Sequence, residues 1–349
     1  MKFRFFSKLV VYAAVGLLPS TLRAGEGVVI FISCDGMRPD AVTALGEEGA
    51  PHFHRLRKEG AFTDNARTDK TYTVTLPNHT SMVTSRGVVG KEGHEWIINT
   101  DPKLGQNLHR NHKAYLSSVF AVAHDNGRRT GLYASKTKFS LYDISYDERT
   151  GEPDTTGPDN GRDKIDVYHE NDDTEALIGE FIAAETEKPF DFAMLHLRDC
   201  DSAGHKDSWD LTPGSPYLEA AKKVDGLIGR LLEMIDTTPA LNGRTWLVIT
   251  ADHGGWTGTK GHGENDQPDN FTIPFYAWGP GIPGGKDLYE LNSATRRDPG
   301  KENPDYNADA QPIRNGDAGN FCLSLLGLPA IPGSTINAAQ DFKACVATP

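Results

Sequence analysis

The segment Val28-Val29-Ile30-Phe31-Ile32-Ser33-Cys34-Asp35-Gly36 is an unbroken apolar run that stops at an acidic residue and a glycine. Such a run, rich in β-branched residues and without polar alternation, reads as a strand buried on both faces, the kind found in parallel sheets. A polar residue at its carboxyl end then sits where open α/β sheets keep their functional side chains. The pattern recurs outward from this segment. Residues 190–197 form a second apolar run, with Asp201 just beyond it, and residues 245–250 form a third that leads into Ala251-Asp252-His253-Gly254. Residues 131–135 and 273–278 read as further strands.

Helices are expected between these runs, over residues 51–58, 78–84, 116–126, 173–185 and 321–326. The clearest is 217–235, where Leu218, Val224, Leu227, Ile228, Leu231, Leu232 and Ile235 recur with a helical period. Strands alternating with helices place the chain in the α/β class, as a mostly parallel central sheet with helices on both faces. Residues 150–166 and 283–309, rich in Gly, Pro, Asp and Asn, read as loops within one catalytic domain spanning 25–349, since chemistry-bearing residues lie on both sides of each.

Of the 349 residues, 38% are hydrophobic and 24% charged, ordinary values for a globular chain, and the formal net charge is -12. So acidic a chain is a poor general binder of duplex nucleic acid or anionic membrane, and an anionic substrate would need bound cations to hold it. Lys2, Arg4 and Lys8, an apolar run over 9–18, and Leu22-Arg23-Ala24 have the form of a cleavable export segment over 1–24. The run is too short to span a bilayer, so no stable membrane anchor is expected. Export implies an oxidising compartment. Four cysteines permit three pairings, and the expectation is a bond between Cys322 and Cys345, with Cys34 and Cys200 as buried thiols.

Three motifs carry the chemistry: Asp35-Gly36-Met37-Arg38; Asp201-Ser202-Ala203-Gly204-His205; and Asp252-His253-Gly254, with His262 nine residues after His253. Carboxylate and neutral imidazole are zinc ligands, and six of them at or after strand ends form a strong combined signal. Taken singly, each Asp reads equally well as a helix cap. Thr75-Leu76-Pro77-Asn78-His79 places a hydroxyl just before an expected helix N-terminus, a favourable position for a phosphate and for a nucleophile. Thr73 is the rival.

This set resembles the type I phosphodiesterase/nucleotide pyrophosphatase family of the alkaline phosphatase superfamily, over residues 28–337. The resemblance implies Thr75 as nucleophile and two ions, zinc by family habit: Asp201, His205 and His262 would hold one, and Asp35, Asp252 and His253 the other, with Thr75 as its fourth ligand. It implies Asn99, in His94-Glu95-Trp96-Ile97-Ile98-Asn99, as a phosphate contact, although the family's glycine after the histidine is replaced here. The short step from His253 to His262 departs from many nucleotide pyrophosphatases. Two divalent ions and three carboxylates leave a charge of about +1, or about zero once Thr75 is ionised, which suits a monoanionic diester. The expected partner is a small phosphorylated substrate, a nucleotide or other phosphodiester. The alternatives are a phosphomonoesterase or phosphonate hydrolase, or a non-catalytic metal or phosphate binder. No C-x-P-x-R or S-x-P-x-R sequence is present, which disfavours a sulfatase.

Overall fold

The computed structural model describes residues 27–153 and 161–345. The expected export segment, 1–24, lies outside them. Eight strands form one sheet: β1 (Val28–Cys34), β2 (Ala61–Arg67), β3 (Thr130–Ala134), β4 (Val167–Glu170), β5 (Phe192–Leu197), β6 (Thr245–Thr250), β7 (Thr272–Trp278) and β8 (Lys286–Asp287), in the order β4-β3-β5-β1-β6-β7-β2-β8. β1 lies in the interior, parallel to β5 on one side and β6 on the other, with Ile30 opposite both Ala193 and Leu247. All seven of its residues are buried, as are all six of β5 and of β6. These strands therefore pack on both faces, the requirement that their continuous apolar composition expresses. β7 runs antiparallel to β6 and β2; the other pairings are parallel.

Helices form two layers. In one, Pro216–Thr237 packs with Pro39–Gly49, Pro51–Glu59 and Thr174–Glu187; in the other, Asp317–Leu325 packs with Thr75–Thr84 and Val119–Asp125. The long helix starts at a Ser215 cap, whose side chain accepts from the Leu218 amide, with Pro216 at its first position. Its Asp225 carboxylate caps the neighbouring helix by accepting from the His52 and Phe53 amides, at 3.0 and 2.8 Å.

Three sequence expectations change. The helix expected over 78–84 begins at Thr75, with Val74 as cap and Pro77 inside the first turn. Proline is tolerated there because first-turn amides have no intrahelical acceptor. β2 and β4 have no counterpart in the sequence pattern, since Ala61–Arg67 and Val167–Glu170 are polar and only partly buried, and the stretch 283–309 read as loop contains β8 and the short helix Leu288–Leu291. The Cys322–Cys345 bond is not formed, and all four cysteines are free. Cys322 is buried in the Asp317–Leu325 helix, whereas Cys345 is exposed with its Sγ 4.0 Å from the Pro280 carbonyl. Cys34 and Cys200 are buried thiols as expected, the Cys200 Sγ lying 3.5 Å from the Met37 sulfur. Among the described residues, no helix is long and apolar enough to cross a membrane.

Candidate metal centre and its cleft

β3, β5, β1 and β6 are adjacent and parallel, so their carboxyl ends open on one edge of the sheet. Asp35 directly follows β1, and Asp252 and His253 follow β6. Asp201 lies in the first turn of the Asp199–Asp207 helix after β5, one helical turn from His205. The turn after β1 ties these positions together. Gly36 has φ 72°, and a Cβ there would lie 2.8 Å from the Asp201 Cα. Its amide donates to Asp252 Oδ1 at 3.1 Å, and the Asp201 amide donates to the Asp35 carbonyl at 3.0 Å. A side chain at position 36 would push two carboxylates apart.

The six expected ligands gather into two groups that could each hold a metal ion: Asp201, His205 and His262, and Asp35, Asp252 and His253. In the first, Asp201 Oδ1 is 3.2 Å from His205 Nε2 and 3.5 Å from His262 Nε2, and the two imidazole nitrogens are 3.2 Å apart. In the second, His253 Nε2 is 3.4 Å from Asp35 Oδ1 and 3.3 Å from Asp252 Oδ2. Ligands about 2.0–2.1 Å from a tetrahedral ion stand about 3.3 Å from one another, so these separations are those of a coordination shell. Each histidine also has its tautomer set by backbone. Nδ1–H donates to the Lys260 carbonyl from His205, to the Gly254 carbonyl from His253 and to the Thr73 carbonyl from His262, at 2.6, 2.8 and 2.6 Å. A carbonyl can only accept, so in the neutral imidazole each Nε2 is the atom left with a lone pair toward the cluster.

Electrostatics points the same way. Asp35 Oδ1, Asp201 Oδ1, Asp252 Oδ2 and His253 Nε2 are buried without a hydrogen-bond partner, and they are the same atoms that define the two groups. Buried polar atoms are seldom left so. Burial would raise the Asp35 carboxyl, but Lys136, His196 and His253 hold it well below its usual range. Burial, with the charge of Asp35, pushes Asp252 well above its own. Burial keeps His253 neutral, and together with His253 it takes His262 down to about 3. Three buried carboxylates sharing one ammonium, beside two neutral imidazoles, form a donor set that needs more positive charge.

That ammonium belongs to Lys136, which the sequence motifs do not include. Its Nζ donates to Asp35 Oδ2 and Asp201 Oδ2, both at 2.6 Å, and so bridges the two groups through the oxygens that neither group uses. Its position two residues beyond β3 repeats the strand-end pattern. Two histidines that read as structural in the sequence also brace the site. The Ser135 amide donates to His196 Nδ1, so His196 Nε2–H donates to Asp35 Oδ2 at 2.8 Å. His79 donates to the Thr75 carbonyl at 2.8 Å while its Nε2 pairs with the Ser33 hydroxyl at 2.8 Å. Arg38, by contrast, turns to Asp40 and the Gly255 carbonyl.

A cleft of about 570 Å³ opens over this edge, lined by Thr75, Asn99, Lys136, Lys138, Asp201 and His205 among others. Thr75 is the first residue of its helix and is almost fully buried. Asn99 Oδ1 accepts from the Leu76 amide at 2.9 Å and lies 3.4 Å from Lys138 Nζ, so the Asn99 NH2 remains the free donor. The structure thus brings Asn99 beside Thr75. It sends Thr73 elsewhere: the Thr73 hydroxyl donates to the His262 carbonyl.

Known proteins resemble this chain in family signature or in fold. The family model described as type I phosphodiesterase / nucleotide pyrophosphatase matches residues 29–272. Murine ectonucleotide pyrophosphatase / phosphodiesterase 5, solved as an inactive form in complex with AMP, is similar with a TM-score of 0.59 and 17% identity, covering 88% of this chain and 96% of that one. A 2-O GAG sulfatase is similar with a TM-score of 0.55 and 13% identity, covering 88% of this chain and 72% of that one. At such identities the likeness is one of fold, and the fold is alkaline-phosphatase-like. GPI ethanolamine phosphate transferase 1 of Yarrowia lipolytica is 29% identical over 43% of this chain, a stretch that spans 16% of the transferase.

Proposed function

This chain belongs to the type I phosphodiesterase / nucleotide pyrophosphatase family, and from that premise we propose that it is a zinc-dependent hydrolase that cleaves phosphate diester or pyrophosphate bonds with Thr75 as nucleophile. Membership by itself makes it a phosphoesterase-type hydrolase or transferase of the alkaline phosphatase superfamily. The observation that carries the finer reading is the convergence of six ligand atoms, four of them buried without partners, beside a cleft that Thr75 lines.

Asp201, His205 and His262 would hold one ion, and Asp35, Asp252 and His253 the other. Divalent ions bound there supply Lewis acidity, which favours ionisation of the Thr75 hydroxyl and neutralises phosphoryl oxygens. The remaining work belongs to the chain. The first-turn amides of the helix at Thr75 are largely committed, Leu76 to Asn99 Oδ1 and Asn78 to the Val74 carbonyl, so the donor left for the oxygen charge that grows in the transition state is the Asn99 NH2. Thr75 Oγ attacks phosphorus, the bond to the leaving oxygen breaks, and that oxygen departs with its electron pair and is protonated from water. Water then attacks the phospho-threonine, the P–Oγ bond breaks, and Thr75 regains a proton. An alcohol in place of that water would make the enzyme a transferase, the activity that the name of the Yarrowia relative carries.

Mass spectrometry of acid-quenched enzyme with substrate should find phosphate on Thr75. Absence of that adduct, together with undiminished turnover by Thr75→Ala, ends this reading. Export is part of the proposal and rests on residues 1–24. Intact mass of the exported protein should begin near Gly25, and retention of Met1 would contradict it.

A further inference from the structure

Ions, carboxylates and Thr75 alone would leave the cleft electrically neutral, but the fold adds two ammonium groups. Lys136 uses two donors on Asp35 and Asp201 and lines the cleft beside Thr75. Lys138 lines it too, its Nζ 3.1 Å from the Asn99 carbonyl oxygen, which holds it over the same spot as the Asn99 amide. With two divalent ions bound, three carboxylates, an ionised Thr75 and these lysines sum to about +2. The acids at the mouth, Glu170 and Asp172, are exposed and therefore screened by water. None of the residues lining the cleft is Phe, Tyr or Trp. A nucleobase is gripped mainly by stacking on such rings.

We propose that Lys136 and Lys138 fit this cleft to a terminal phosphoryl group with two ionised oxygens, carried on a polar, non-aromatic leaving group. The substrate class is then a phosphate monoester, or a pyrophosphate attacked at its end, rather than an internal diester. This inference rests on the two-ion, Thr75 reading above and revises its substrate: the pyrophosphate bond is kept, and a terminal phosphoryl ester takes the place of the internal diester.

Calorimetry on the zinc-loaded protein, at an alkaline pH where inorganic phosphate is a dianion, tests it apart from turnover. Inorganic phosphate should bind at least about ten-fold more tightly than dimethyl phosphate, as one additional charged hydrogen bond would give. Lys138→Gln should reduce that ratio several-fold, and Lys138→Arg should restore most of it. Lys136→Gln unpairs two buried carboxylates and risks the fold or the ions, so Lys138 is the position that decides. Equal affinity for the two anions in the wild type, or an unchanged ratio in Lys138→Gln, overturns the proposal. Turnover of glycerol phosphate, inorganic pyrophosphate and the diester glycerophosphocholine is measured alongside. If the binding preference holds while none of them is cleaved, the inference about charge stands and the hydrolase reading falls.

Discussion

Thr73 and His262 hold each other through reciprocal hydrogen bonds: the Thr73 hydroxyl donates to the His262 carbonyl, and the His262 ring donates back to the Thr73 carbonyl at 2.6 Å. The two residues are far apart in sequence, yet this pair sets the tautomer of one candidate ligand. It also commits the hydroxyl that rivals Thr75 as nucleophile. The two threonines should therefore fail differently. Thr75→Ala should lower kcat by orders of magnitude with zinc content unchanged, while Thr75→Ser keeps part of the rate. Thr73→Ala removes the hydroxyl bond to the His262 backbone but keeps the carbonyl that holds the His262 ring, so it should cost zinc affinity a few-fold at most and leave kcat near wild type at saturating metal. Turnover of whichever phosphate ester the wild type cleaves, diester or monoester, against zinc concentration separates the cases. An active Thr75→Ala beside a dead Thr73→Ala would reverse the assignment.

Metal removal should cost stability as well as activity, because it leaves Asp35, Asp201 and Asp252 to share the charge of Lys136. Prolonged chelation should abolish turnover and lower Tm, and zinc should restore both. At about 1,000-fold excess over Kd, a bound ion stabilises by about 4 kcal/mol. His196→Ala, which frees Asp35 Oδ2 from one of its two donors, should weaken metal binding by about 10- to 100-fold. Full activity in protein shown metal-free by elemental analysis would refute the scheme.

Asn99→Ala should lower kcat about 100-fold with little change in zinc content, since it removes a donor aimed at transition-state charge. Its Oδ1 also receives the Leu76 amide, so Asn99→Asp should keep the helix start in place and still lose most of the rate. A wild-type kcat in Asn99→Ala would remove Asn99 from the reaction.

Away from the site, burial pushes the Glu185 carboxyl up to about 8; the Phe190 amide donates to its Oε2, while Oε1 has no partner. A carboxyl whose folded value exceeds its unfolded one binds a proton more tightly when folded. Its contribution to stability is complete below about pH 4.3 and is lost as pH rises through about 8. Glu185→Gln, which cannot ionise, should therefore gain in Tm relative to wild type as pH is raised from about 5 to about 8.5. A Tm difference independent of pH would show that Glu185 does not titrate in this window.

What the sequence determined by itself follows from short-range rules. The apolar runs at 28–34 and 245–250 coincide with strands because uninterrupted β-branched stretches need a two-sided burial that interior parallel strands supply. The positions of Asp35, Asp252 and His253 follow directly, since each comes right after a strand end. Asp201 and His205 share a face at a spacing of four residues, although the element beneath them is a helix rather than a strand end. What only the tertiary structure decided depends on which strands lie side by side. Lys136 meets Asp35 and Asp201 because β3 packs against β5 and β5 against β1, an order that local periodicity does not encode. His79 and His196 look like ordinary core histidines until the helix at Thr75 and strand β5 carry them to Ser33 and Asp35. Cys322 and Cys345 lie close in sequence but differ in environment, one inside a helix in the core and the other on the surface. A disulfide requires sulfurs in contact, and contact is a property of the folded chain.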